Sequence, residues 1–219
     1  MLRLYLLQNL YTLSDEATVA EAVDSRAFSD FCGAESSNQV PDGDTLGRFR
    51  HILEKNNLQK KLFTQVIGLL QQKDLLLEKG TIADPQSLPH HPVKVTGANV
   101  HDVTMTPELL TGDEESVYGD SGYLGAEARD CAIIRNKNGK KIKYRINRRP
   151  SQLKKLSVSG QYAAKKVEHR KSSVRAKVEH VFGAVKDLFG YRKTRCRGLM
   201  KQTAKLNMMF ALANLYLAA

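Results

Sequence analysis

Apolar side chains recur at helical spacing through the first third of the chain. MLRLYLLQNLYTL is apolar but interrupted by Arg3, Gln8 and Asn9, and no small-residue cleavage site follows, so it reads as a helix rather than a signal peptide. SDEATVAEAVDS opens on Ser14 and carries acids in its first turn, the composition of a capped helix start. FCGAESSNQVPDGD gathers turn formers and predicts a loop. TLGRFRHILEKNNL places Leu46, Phe49, Ile52 and Leu53 at helical spacing behind a cap at Asp44. LFTQVIGLLQQKDLLLEKG repeats the pattern and stops at Gly80. An all-helical region over residues 1–79 is expected.

The period then shortens. GTIAD, PVKVTGANV and ESVYGD are short, rich in β-branched and aromatic residues, and bounded by Gly, Pro and Asp, as strands are. MTPELL between the last two predicts a short helix with Thr106 as cap and Pro107 at its first position. AIIRNKNGKKIKYRI resembles two strands joined by the turn NKNGK. After PSQLKKL, a long helix is predicted from about Gln161 to Leu188. LNMMFALANLYLAA at the far end is apolar nearly all round and too short to cross a bilayer, so it predicts a buried closing helix. Strands followed by a long helix give an α/β class, a mixed sheet flanked by helices over residues 80–219.

Charge sharpens this picture. From Cys131 onward 23 Lys and Arg face three acids, whereas residues 1–130 carry 11 basic and 20 acidic side chains. Apolar residues recur throughout the basic part, which argues for a folded surface that meets phosphate rather than a solvated tail. Cys32, Cys131 and Cys196 are odd in number and far apart, which suggests neither a disulfide framework nor a zinc site and fits a reducing cytoplasm.

Carboxylates inside the basic part therefore stand out. KVEH occurs at 166–169 and again at 177–180, so Glu168 and Glu179 share a helical face if the helix is unbroken, and spacing alone does not choose between them. Around Glu179, the residues Val174, Val178, Val181, Phe182, Val185 and Phe189 form an apolar stripe, with Arg175, Glu179 and Lys186 on its flank. An exposed ion-pair ladder there is worth about 0–1 kcal/mol per pair. VYGDSGY puts Asp120 at the end of a strand, where functional groups of α/β folds gather, and GTIAD does the same for Asp84. Two strand-end carboxylates and one helical carboxylate suit a pair of Mg²⁺ or Mn²⁺ ions for phosphoryl transfer.

YGDSGYLG, SSVRAKVEHVFGAVKDLFGYRKTRCRGL and KLNMMFALANLYLA closely resemble bacterial insertion-sequence transposases, in the branch named after insertion sequence five. PDGDTLGRFRHILEKNNL and VTGANVHDVTMTPELL extend the resemblance over nearly the whole chain. It implies a ribonuclease-H-like catalytic domain with an Asp-Asp-Glu metal triad, preceded by a helical region implicated in DNA binding. The family's glutamate motif, Arg then Glu then Lys, falls on Arg175, Glu179 and Lys186 and so selects Glu179 over Glu168. Asp120 matches the second aspartate. The resemblance thus implies Asp120 and Glu179 as metal ligands and Arg175 and Lys186 as DNA-orienting residues. Arg192, Lys193, Arg195 and Arg197, with Arg148 and Arg149 beside them, suit phosphate contacts that position DNA without reading it. Element ends and target DNA as partners, several copies assembled on DNA, and a cytoplasmic, nucleoid-associated protein follow from the same resemblance.

Two departures from the family pattern bear on activity. Relatives carry a further N-terminal stretch, and Met1-Leu2-Arg3 resembles an internal position of them. GTIAD also runs directly into PQSLPHHPVKVTGANVHD, where relatives have a spacer and another strand. Asp84 aligns either with the first catalytic aspartate or with a turn aspartate before the later strand. A truncated, inactive remnant that still binds DNA is the competing expectation. His90 and His91 beside Pro89 and Pro92 suggest a loop or edge strand, Asp102 a helix cap, and Cys196 stands where relatives have an aromatic residue.

Overall fold

The computed structural model describes residues 1–73, 81–82, 95–96, 100–110, 112, 114–129, 132–194 and 197–218, with backbone alone at 81, 82, 102 and 177–179. Two compact units result, Met1–Leu75 with Gly183–Ala219, and Leu76–Phe182.

The first unit is helical. Helix α1 (Leu2–Leu10) is followed by α2 (Asp15–Asp24), where Ser14 accepts from the Ala17 amide as the sequence predicts. Helix α3 (Arg26–Cys32) ends at Gly33, whose φ of 72° closes a left-handed cap. In α4 (Gly43–Lys55) the capping residue is Asp42 rather than the expected Asp44. Its carboxylate accepts from Thr45 N at 2.8 Å, and Asp44 instead lies in the first turn. Helix α5 (Leu58–Gln72) presents Phe63, Ile67 and Leu70 to the core. These meet the closing helix α9 (Leu199–Ala218), which packs against α5. There Asn207 through Asn214 are buried while Leu215, Tyr216 and Leu217 are exposed, so the apolar terminus is covered along one stretch only. A π-helical turn, Ala184–Leu188, belongs to the same unit and delivers buried Val185 and Phe189. The backbone carbonyl of Phe189 accepts a hydrogen bond from the buried Thr12 hydroxyl. Asp15 of α2 and Arg50 of α4 form a two-pronged ion pair.

The second unit holds a three-stranded sheet in the order β1 (Thr81–Ile82), β2 (Ser116–Gly119), β3 (Lys143–Ile146), and both pairings are parallel. Ahead of β2, a 3₁₀ turn opened by Asp102 leads into the short helix α6 (Thr106–Leu109). Its capping residue is Met105, not the expected Thr106, whose hydroxyl instead bonds the Val103 carbonyl. Leu110, Val117, Tyr123 and Ile142 form the core beneath the sheet.

The expected hairpin over 132–146 is half present. Asn136 closes the turn by accepting from the Asn138 and Lys140 amides, and one antiparallel bridge joins Arg135 to Lys141. The second arm then leaves its neighbour and pairs parallel with β2 instead. The described strand pairs are thus all parallel rather than mixed. Val95, Thr96 and Val100 of the expected strand over 92–100 lie in no strand, and the rest of it, with His90 and His91, lies outside the described residues. Helix α7 (Pro150–Lys154) leads to α8 (Val158–Gly183), which begins three residues earlier than the periodicity predicts.

Candidate functional site

Asp120 is the first residue beyond β2, the central strand of the sheet. Its Oδ1 accepts the Gly122 amide at 2.8 Å, capping the 3₁₀ turn Ser121–Tyr123, and the side chain is exposed. Tyr123 turns back beneath the strand, 1% exposed. Gly119 makes this turn compatible with the sheet. A Cβ there would lie 2.8 Å from Ile146 Cδ1 and 3.1 Å from Tyr123 Cβ, so β3 and the turn close tightly over this position and any side chain there would crowd them. The Asn147 amide donates to the Gly119 carbonyl at 3.0 Å and carries the parallel pairing one residue past the strand ends.

Three successive residues at the end of β3 are bonded to α8. Ile146 offers its carbonyl to Lys171 Nζ at 2.8 Å, Asn147 donates its side-chain amide to Ser172 Oγ at 3.0 Å, and the Arg148 amide donates to Glu168 Oε2 at 3.0 Å. Glu168 and Lys171 also pair with each other at 2.9 Å, and their side chains are only 12% and 17% exposed. Glu168, the rival that spacing left open, is therefore committed to holding the helix on the sheet. Arg175, one turn beyond Lys171, is half-buried on the same side of α8. The helix runs unbroken from Val158 to Gly183, so position 179 follows position 168 by about three turns and returns to the same side.

Sequence reasoning missed Asn147, Lys171 and Ser172. The i,i+3 spacing of Glu168 and Lys171 signals a local pair. Their bonds to β3 cross 20 and 25 residues and carry no local signature. Asn147 Oδ1 is buried and bonded by none of the described residues.

The expected cations have differing surroundings. Lys186 is exposed on the π-helical turn of the first unit, and Arg192 is exposed and paired with Asp187 at 3.4 Å. Lys193 and Arg197 are exposed, as are Arg148 and Arg149 in the second unit, and Arg195 lies outside the described residues with Cys131 and Cys196. Of the expected acidic triad, Asp120 alone has a described side chain. Asp84 lies outside the described residues, and Glu179 is described by its backbone. Among the described residues no three His, Cys, Asp or Glu side chains cluster, and no helix is long and apolar enough to cross a membrane. An exposed carboxylate at a strand end is an oxygen donor of the kind hard divalent cations take.

Two family models match the sequence. One, described as "Transposase DDE domain", covers residues 80–215, and the other, described as "Transposase domain (DUF772)", covers residues 1–52. No solved structure gives a significant match.

Proposed function

The chain belongs to the transposases that carry a DDE domain, and on that premise we propose that it binds insertion-sequence ends and catalyses divalent-metal-dependent DNA cleavage and strand transfer. The observation that carries this reading is one of register. Ile82 and Tyr118 are Cα partners in parallel strands, and Asp84 and Asp120 each follow their partner by two residues. Asp84 thus stands in the sequence at the offset from β1 that Asp120 has from β2, which supports it as a second member of one carboxylate set. Engagement of Glu168 with Arg148 and Lys171 supports Glu179 as the third acid. The parallel strands, with α8 hooked onto the end of β3, support a ribonuclease-H-like arrangement.

Asp84, Asp120 and Glu179 are the residues that would hold Mg²⁺ or Mn²⁺, which when bound lowers the pKa of attacking water and neutralises charge on the phosphate. The chain's own residues do the rest. Arg175 and Lys186 bind and orient DNA beside the cut, and Arg192, Lys193, Arg195 and Arg197 hold flanking phosphates. Functionally, residues 1–79 form the helical DNA-binding region and residues 80–219 the catalytic region, although the compact units divide elsewhere. Element ends and target DNA are the partners, several copies assemble on DNA, and the site of action is the bacterial nucleoid.

A second reading rests on β1. Among the described residues it spans Thr81–Ile82 and pairs on one side only, with β2. That favours a chain lacking a strand, which binds DNA without cutting it. One experiment separates the two. The purified chain is incubated with duplexes bearing the element's ends in Mg²⁺ or Mn²⁺. Nicks that disappear in Asp120→Asn and Glu179→Gln support the first reading, and joined products add strand transfer. Binding without nicks in either metal establishes the remnant.

A further inference from the structure

The side of α8 turned away from the sheet carries a different chemistry. Tyr162, Lys165, Lys166, His169 and Arg170 follow one another at helical offsets of 0, 3, 4, 7 and 8 and are all exposed, Tyr162 at 77%. Gln161, Ala164, Glu168, Lys171 and Arg175 occupy the opposite side and are half-buried. Lys154 and Lys155, exposed at the end of α7, add charge just before the helix. None of these cations is needed for the metal site or its orientation.

Separation of charge on α8 is what gives the stripe meaning. An ordinary solvated helix intersperses acids among its bases, because like charges at i,i+4 destabilise it. Here Lys166 and Arg170 stack at that spacing, with Lys165 beside them. The acid between them, Glu168, is turned to the opposite side and held by the Arg148 amide and Lys171. The stripe is left with uncompensated positive charge along about 12 Å of helix, a length of three to four nucleotides of one strand.

We infer that this stripe is a second duplex-binding surface, on which Lys165, Lys166 and Arg170 neutralise phosphates and the Tyr162 hydroxyl donates to another. Contacts of this kind fix the path of the duplex without reading its sequence. The inference rests on the chain acting on DNA but not on the metal site, so it is tested without divalent ions.

Binding of the full chain to a labelled duplex of arbitrary sequence is measured in EDTA by fluorescence anisotropy over a range of salt. Lys165→Gln with Lys166→Gln is compared with Lys140→Gln and Lys141→Gln, which removes the same charge from exposed positions just before β3. The α8 pair is expected to lower the slope of log affinity against log salt by about two, at about 0.9 per lost phosphate contact. The pair before β3 leaves the slope unchanged. Three results overturn the inference: no salt-dependent binding by the parent chain, equal losses in the two double variants, or an unchanged slope in the α8 pair. The last would leave the stripe to a protein partner.

Discussion

Glu168 Oε1 lies 2.9 Å from Lys171 Nζ, and each partner then reaches the end of β3, Glu168 to the Arg148 amide and Lys171 to the Ile146 carbonyl. A carboxylate used in this way serves the fold. Glu168→Gln leaves the half-buried ammonium without its counter-charge and is expected to lower the stability of the second unit by roughly 1–3 kcal/mol. Manganese binding, followed by the loss of free-ion EPR signal, should be kept in Glu168→Gln and weakened in Glu179→Gln. The reverse pattern in the two variants would transfer the metal-binding role to Glu168.

Gly119 gives a sharper test of how Asp120 is held. A methyl group at this position would press on Ile146 Cδ1 at 2.8 Å and Tyr123 Cβ at 3.1 Å. Gly119→Ala should therefore cost about 1–3 kcal/mol as overpacking. Shortening the neighbour by Ile146→Val removes the closest of these atoms, and the double variant should recover part of the loss in thermal melting. An additive loss would mean that the crowding lies elsewhere.

In the first unit, acid should undo the Asp15–Arg50 pair. Burial alone would raise the Asp15 carboxyl, but hydrogen bonds from Arg50 and Gln8, with the Arg50 charge, outweigh it and hold the group below its ordinary range. A depressed folded value means that the stabilisation is complete above the unfolded value of about 3.9 and is lost as pH falls through the folded one. Melting temperature measured against pH should drop below about pH 4, and part of that drop should be missing in Asp15→Asn. At neutral pH the same substitution should lower stability by about 1–2 kcal/mol.

Helix α4 discriminates between two neighbouring aspartates. Asp42 accepts from the Thr45 amide, and hydrogen bonding from Thr45 holds its carboxyl below the usual value. Asp42→Ala should lower the melting temperature more than Asp44→Ala does, since Asp44 contributes only its charge near the helix start. A larger loss at Asp44 would reinstate it as the cap.

These two aspartates also show how far the sequence was legible. Both suit a helix start by composition, and only the path of the backbone before Gly43 decides which one reaches an amide. The helices with strong local signals were readable: α2 behind Ser14, and the closing helix with its buried run from Asn207 to Asn214. Asp120 at the end of β2 was readable too, because a β-branched and aromatic run ended by Asp-Ser-Gly carries its own boundary. The partner of β3 was not readable. Asn136 makes a genuine turn, which local reasoning extends into a hairpin, whereas Tyr144 pairs with Val117 at a separation of 27 residues. Glu168 was undecidable for the same reason, since its commitment depends on an amide 20 residues away.

Packing of α9 against α5 has a consequence for how the molecule comes into being. During synthesis, α1 to α5 leave the ribosome with the apolar faces around Phe63, Ile67 and Leu70 uncovered, and they stay so until the last helix is translated. The intervening segment is complete first and has the opportunity to fold before its enclosing helices do. Early termination between residue 182 and α9 would thus release a nascent chain whose middle can fold while its beginning stays sticky, a natural client for chaperones.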